Sequence, residues 1–387
     1  MHMRKALIII TLVALLVGSS GCTKKEKSQD ESAYPVRTEV IGGVEVHISP
    51  DYPRDGRVAY SFEEELNIGV EEGDEFYQLY RPQDIKVVDN GDIYVIDWRE
   101  NHLRVYDKEG KYLRTVAQKG RGPGEFESPA SFDFLSDGRI VLLDGRNRQV
   151  SIIGKDDVYQ SGFKIEGYCQ NLIVDGQDQL YLEKTLLKEV DVIGVTQIIE
   201  DKMNIYCSDL EGRMLHDYGI YRGKKMSYTR TKQGSMSGSS PYAHTTVWTV
   251  DEEGRLYIGY NKNYRLDVYD PDGELIFGFG REFTPIKYEN YRGGASPEFW
   301  SAFFQHLIFD DESNLWLWHP TGKEEEESYE YDVFSPDGIY VKQVVVPHRI
   351  HRIKNGKAYC IVRNEEGFSF IKRFRFVLGD VPLGTTP

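Results

Sequence analysis

Cysteine is scarce in this 387-residue chain, which has only Cys22, Cys169, Cys207 and Cys360. Three irregularly spaced thiols beyond Cys22 exclude a disulfide framework. Cys207 in NIYCSD and Cys360 in AYCIV sit in strand patterns, where a thiol acts as a small buried hydrophobe. Amphipathic helical runs are missing after residue 30, which argues against any helical bundle. Basic charge is short too, with 47 Lys and Arg against 62 Asp and Glu and a net charge of −15. A surface so acidic repels phosphate backbones, so no nucleic-acid partner is expected. Catalytic signatures are equally absent. Gly234-Ser235-Met236-Ser237-Gly238 places its serines wrongly for a nucleophile elbow. Gly120-Arg121-Gly122-Pro123-Gly124 is followed by no strand–helix crossover, and Pro123 removes an amide donor, so it is no phosphate loop. No His-x-x-x-His spacing occurs among the nine histidines. No cofactor and no metal are called for.

What is present is aromatic and β-branched. Aromatics make up 13% of the chain, with 26 Tyr and 18 Phe, and this favours an all-β class. The N-terminus differs from the rest. A basic start (Arg4, Lys5), an apolar run from Ala6 to Val17 and the small residues Gly18-Ser19-Ser20-Gly21 read as a signal peptide over residues 1–21, too short to span a membrane. Ser19-Ser20-Gly21-Cys22 resembles a bacterial lipoprotein box, which implies lipidation of Cys22, although Ser19 stands where Leu is commonest. An ordinary cleaved signal is the other reading. Residues 22–57 then form a lead-in, beginning with a charged tether, Thr23 to Ser32, that has too little apolar surface to fold.

The strongest signal is repetition. Residues 81 to 129 are followed by their own echo from Ser128, and self-similarity at roughly 40 to 50 residues, with four short strands per period, marks propeller blades. Short Asp/Asn/Gly turns after the first strand recur at Asp89, Ser136, Asp175, Asp251, Asp310 and Lys354. Turns between third and fourth strands recur at Asp107, Lys155, Asp209, Asp270 and Ser335. The sixth unit has none, because the chain ends on a third strand at residues 368–378. The segment from Leu66 resembles the fourth strand and exit loop that start at Thr115. The fold expected is therefore a six-bladed β-propeller over residues 58–378, closed by an N-terminal strand that completes the last blade, with residues 379–387 as a tail. All four long insertions (184–202, 219–243, 281–305 and 319–328) fall on the face opposite the short turns. Long loops on one face of a rigid scaffold point to binding there.

The pattern P-x-x-I-x-V…G-x-I-Y-V-x-D…N-x-x-x-V-Y-D…G from Pro82 to Gly110 resembles NHL repeats, and the exit loop Gly120 to Phe126 is similar to that of six-bladed propeller lipoproteins of bacterial envelopes. The resemblance implies a lipid-anchored envelope protein, outer-membrane, periplasmic or surface-exposed. In such propellers the residue before each inner strand lies at the channel mouth. Alignment puts Asp84, Ser131, Gln170, Thr246, Gln305 and Arg349 there, with His348 beside them and Trp98 and Arg146 overhanging. Ser296-Pro297-Glu298-Phe299-Trp300 reads as the start of a short helix, with Trp300 a candidate platform for a sugar or peptide. These residues define a binding or scaffolding module for a protein, peptide or glycan at the loop-rich face, attached to the membrane by its lipid. The alternative is an NHL-like envelope lyase or hydrolase at the same mouth. For a metal lyase of that group only His348 lies close to the ring, with His244, His306, His319 and His351 displaced.

Overall fold

The computed structural model describes residues 34–379 except 123, 187–193, 239–242, 288–298, 304–305 and 322–327. The signal segment and Cys22 lie outside these. From Val36 onward the described residues are all β apart from one 3-10 turn at Glu75–Tyr77, arranged as six antiparallel blades. The first blade consists of Pro82–Val87, Ile93–Asp97, His102–Tyr106 and Tyr112–Lys119, from the channel outward. Its echo forms the second blade, Pro129–Phe134 to Tyr159–Lys164. The third runs from Tyr168–Val174 to Met214–Thr231, the fourth from Thr246–Val250 to Leu275–Arg281, and the fifth from Leu307–Phe309 to Tyr340–Val346.

The sixth blade takes three strands from the C-terminus, Arg352–Lys354, Lys357–Arg363 and Ser369–Leu378, and its fourth from Arg57–Ile68. That closing strand pairs antiparallel with the last one, from Tyr60 opposite Leu378 to Ile68 opposite Ile371. Its first residues run parallel to the fifth blade's outer strand, Arg57 to Ala59 against Gln343 to Val345. One strand therefore satisfies two edges that would otherwise be open.

Local chemistry explains the strands. Ile93–Asp97 and Ile140–Asp144 are buried throughout, as middle strands packed on both faces must be, and both read as apolar runs. The turn aspartates accept amides two and four residues on, as Asp107, Asp251 and Asp310 do. In the sixth blade Asn355 (φ 53°) and Gly356 (φ 64°) make the two-residue turn that hairpins favour. The core lies between neighbouring blades. Phe279 of the fourth meets Phe334 of the fifth with ring centroids 5.1 Å apart, and Tyr94 of the first meets Phe134 of the second at 4.8 Å. Cys169, Cys207 and Cys360 are free and buried.

Two features depart from the sequence reading. The lead-in is partly folded: Arg37–Ile41 and Val44–Ser49 form a hairpin that adds in parallel to the outer strand of the fourth blade, and the Ser49 hydroxyl accepts the Tyr340 amide of the fifth at 3.1 Å. The third-blade insertions are mostly β ribbon. Thr196–Ser208 pairs with Met214–Thr231 along its whole length, and Gly234–Gly238, inside the 219–243 insertion, adds a further strand.

Candidate functional site

The six inner strands enclose a channel of about 1750 Å³, walled by residues of every blade. In each blade the first strand starts where the second ends, as Pro82 opposite Asp97 shows, so the mouth shares a face with the loops after second and fourth strands. Aspartates at the ends of second strands fasten that face. Asp97, almost wholly buried, accepts the amides of Tyr80 (2.7 Å), Arg81 and Arg99. Asp144 does the same for Glu127, Arg146 and Asn147. Each ties one blade's exit loop to the next blade's loop. In the fourth blade Asn261 takes the role, accepting Thr245 N–H and donating to Phe303 C=O.

Of the sequence-predicted ring, Asp84, Ser131, Arg349 and the adjacent His348 line the channel. Gln170 does not. A bulge between Cys169 and Asn171 shifts the register, leaving Gln170 exposed and turning Asn171 to the channel, where its side-chain oxygen accepts from Ser131 Oγ at 3.4 Å. Thr246 is buried outside the lining, at the blade end where Phe299 to Phe303 is tied down through Asn261. Gln305 lies outside the described residues. Trp98 and Arg146 are exposed on the loop-rich face rather than in the channel. Trp98 is 41% exposed, donates to Ser128 Oγ, and carries the Arg81 guanidinium over its ring at 5.0 Å. Trp300 is no platform: it is 2% exposed, packed against Ile286 and Trp318. The expected helix lies partly outside the described residues, and 299–303 is irregular, with Phe299 bridged to Lys287.

The channel also holds residues the ring alignment left out. On the first two blades Lys86 Nζ sits 2.9 Å from Asp133, whose other oxygen accepts the Val174 amide. Burial raises the pKa of Asp84, with Lys86 opposing and Asp133 adding to the shift. On the fifth and sixth blades His306 Nε2 lies 2.8 Å from the His351 carbonyl, so that nitrogen carries the proton. Burial, with Arg349 and Arg352 nearby, lowers the His306 pKa to about 4, and His351 is held well below 6.5 for similar reasons. Arg349 stacks over Trp318 at 4.8 Å, and burial lowers its pKa. Among the described residues no three His, Cys, Asp or Glu side chains converge in a metal-binding group. Also among them, no helix is long and apolar enough to cross a membrane.

Comparison with known proteins agrees with this architecture. A family model described as a 6-bladed beta-propeller (DUF5128) matches residues 72–173. NHL repeat-containing protein 3 of Homo sapiens is 30% identical over 82 residues, 20% of this chain and 24% of that protein. The chain is a six-bladed β-propeller, and part of it is similar to NHL repeats. The match spans about a quarter of the human relative's length. Among solved structures, a Bacteroides fragilis NCTC 9343 protein named as exported superposes with a TM-score of 0.53 at 11% identity, covering 85% of this chain and 98% of that one. A DUF4221 family member from Bacteroides vulgatus ATCC 8482 gives 0.54 at 12%, covering 84% and 100%. At such identities the likeness concerns the fold alone.

Proposed function

We propose that this NHL-like propeller is a lipid-anchored protein of the bacterial cell envelope that binds a protein, peptide or glycan at its loop-rich face, over the channel mouth. The observation that carries the reading is the wide polar channel, where Asp84, Ser131, His348 and Arg349 reach the lining on the face that also bears the exposed Trp98. Concave openings on a rigid scaffold are the usual place for ligands, with a few placed polar groups giving specificity. The signal-like segment, the Cys22 box and the likeness to a protein named as exported support the address. Purification of the intact chain from its own membrane tests the reading. The wild-type protein is expected to bring a partner or glycan with it, and Asp84→Asn or Arg349→Gln to lose that companion while keeping the wild-type Tm. Retention of the companion by both folded variants would overturn it.

A further inference from the structure

The cations of the channel wall fall into two groups. Lys86, Arg114 and Lys354 are ion-paired, with Asp133 at 2.9 Å, Asp157 at 2.6 Å and Asp89 at 2.9 Å. Lys155, Arg349, Arg352 and Arg363 line the same wall with no carboxylate within 4.0 Å among the described residues; Lys155 and Arg363 are exposed, whereas Arg349 and Arg352 are half-buried. The Nε of Arg349 and that of Arg352 are enclosed and have no hydrogen-bond partner. A half-buried charge with no paired carboxylate carries part of the cost of desolvation, and a bound counter-ion would offset it.

The surroundings hold these two side chains in place without a direct ion pair, and Arg352 feels the Asp84 carboxylate of the first blade only from beyond ion-pair distance. The Trp318 ring takes the flat face of the Arg349 guanidinium and leaves its edge open. His306 and His351 are spent on the backbone: His306 donates to the His351 carbonyl, and His351 Nδ1 accepts the Ile361 amide at 3.2 Å. They fix the segment that carries both arginines. The setting sharpens the contrast, since a chain of net charge −15 has concentrated His348, Arg349, His351 and Arg352 in one stretch of channel wall.

We infer that Arg349 and Arg352 form an oxyanion site in the channel wall, so that the ligand carries a carboxylate, phosphate or sulfate group. The inference rests on the channel-mouth reading above and adds the chemistry of what enters. Guanidinium forks match such planar or tetrahedral oxyanions through paired N–H donors. Lys86 and Asp133 satisfy each other on the facing blades, so the anion is drawn to one side of the channel.

Isothermal titration calorimetry on the detergent-solubilised full chain tests this, with D-glucuronate, inorganic phosphate and sulfate as probes and D-glucose as neutral control. At least one oxyanion should bind, D-glucose should give no heat, and Arg349→Gln and Arg352→Gln should each weaken binding tenfold or more. Arg213→Gln, on a distant exposed turn, should leave binding unchanged. The three probes separate carboxylate from phosphate and sulfate sources. Should an arginine variant misfold, a selenate soak of wild-type crystals decides instead, with anomalous density expected in the channel beside the Arg349 or Arg352 guanidinium. No oxyanion binding, equal binding by the arginine variants, or no selenate there would overturn the inference. The channel-mouth reading would then stand or fall separately, on whether Asp84→Asn still loses the companion.

Discussion

Ile68 and Ile371 face each other across the strand pair that closes the ring, both fully buried, although 303 positions separate them in the sequence. The contact joins the two ends of the propeller. Truncation of Ile68 to Ala is expected to cost about 2–5 kcal/mol, the range for a buried aliphatic side chain, read as a lower urea midpoint at unchanged m-value. Deleting residues 1–68 should expose the edge of Ser369–Leu378 and yield aggregated protein, whereas deleting residues 1–33 should leave the Tm unchanged.

Between the fourth and fifth blades, Arg281 Nε lies 2.9 Å from Asp332, which is wholly buried and also accepts the hydroxyls of Tyr340, at 2.6 Å, and Tyr264. Burial alone would raise the Asp332 pKa, but Arg281, His319 and the two tyrosines outweigh it and hold the carboxyl below its ordinary value. Asp332→Ala strands the guanidinium and two hydroxyls. A loss of about 3–5 kcal/mol is expected in chemical denaturation, and replacing Arg281 as well should add much less than a second loss of that size.

Acid should weaken the fold through His306. Its folded pKa, about 4, lies below the ordinary 6.5, so the stability it confers is present above about pH 6.5 and is lost as pH falls toward 4. The loss by pH 5 is about 2 kcal/mol. Asp84 acts in the opposite sense, since a raised carboxyl pKa gives stability at low pH that fades as pH rises. Unfolding free energies at pH 7.5 and 5.0 should therefore differ less in His306→Gln than in the wild type. An unchanged difference would show that His306 is not held neutral.

Anchoring is tested at Cys22. Cys22→Ser should abolish incorporation of labelled palmitate and shift the protein from the membrane to the soluble fraction, with the propeller's Tm intact. Persistence in the membrane fraction would point to attachment by another route.

The blades were legible because their punctuation is local. Asp-Glu-Glu-Gly and Asp-Pro-Asp-Gly turns name their own hairpins, and the absent sixth turn led to the closing strand. The hairpin at Arg37–Ser49 was not legible, since its strand partner lies more than two hundred residues away and its first strand is mostly exposed, with no apolar alternation to mark it. The third-blade ribbon is half polar on both faces and read as loop. At the site, alignment by turn position found Asp84, Ser131 and Arg349 but not Asn171, because a bulge moves side chains to the other face without altering composition. Arg352 was missed because the sixth inner strand is only three residues long, and the dense cation run HRIHR, 348–352, was its visible sign.

Site-specific photo-crosslinking in native membranes tests the central claim most directly, because it reads which face is occupied without knowing the occupant. A benzophenone amino acid at Trp98, on the loop-rich face, is compared with one at Asp272, on the short-turn face. A discrete crosslinked species is expected from Trp98 and disappears in Arg349→Gln, and none is expected from Asp272. Crosslinking confined to Asp272, or Trp98 adducts indifferent to Arg349, would contradict that claim.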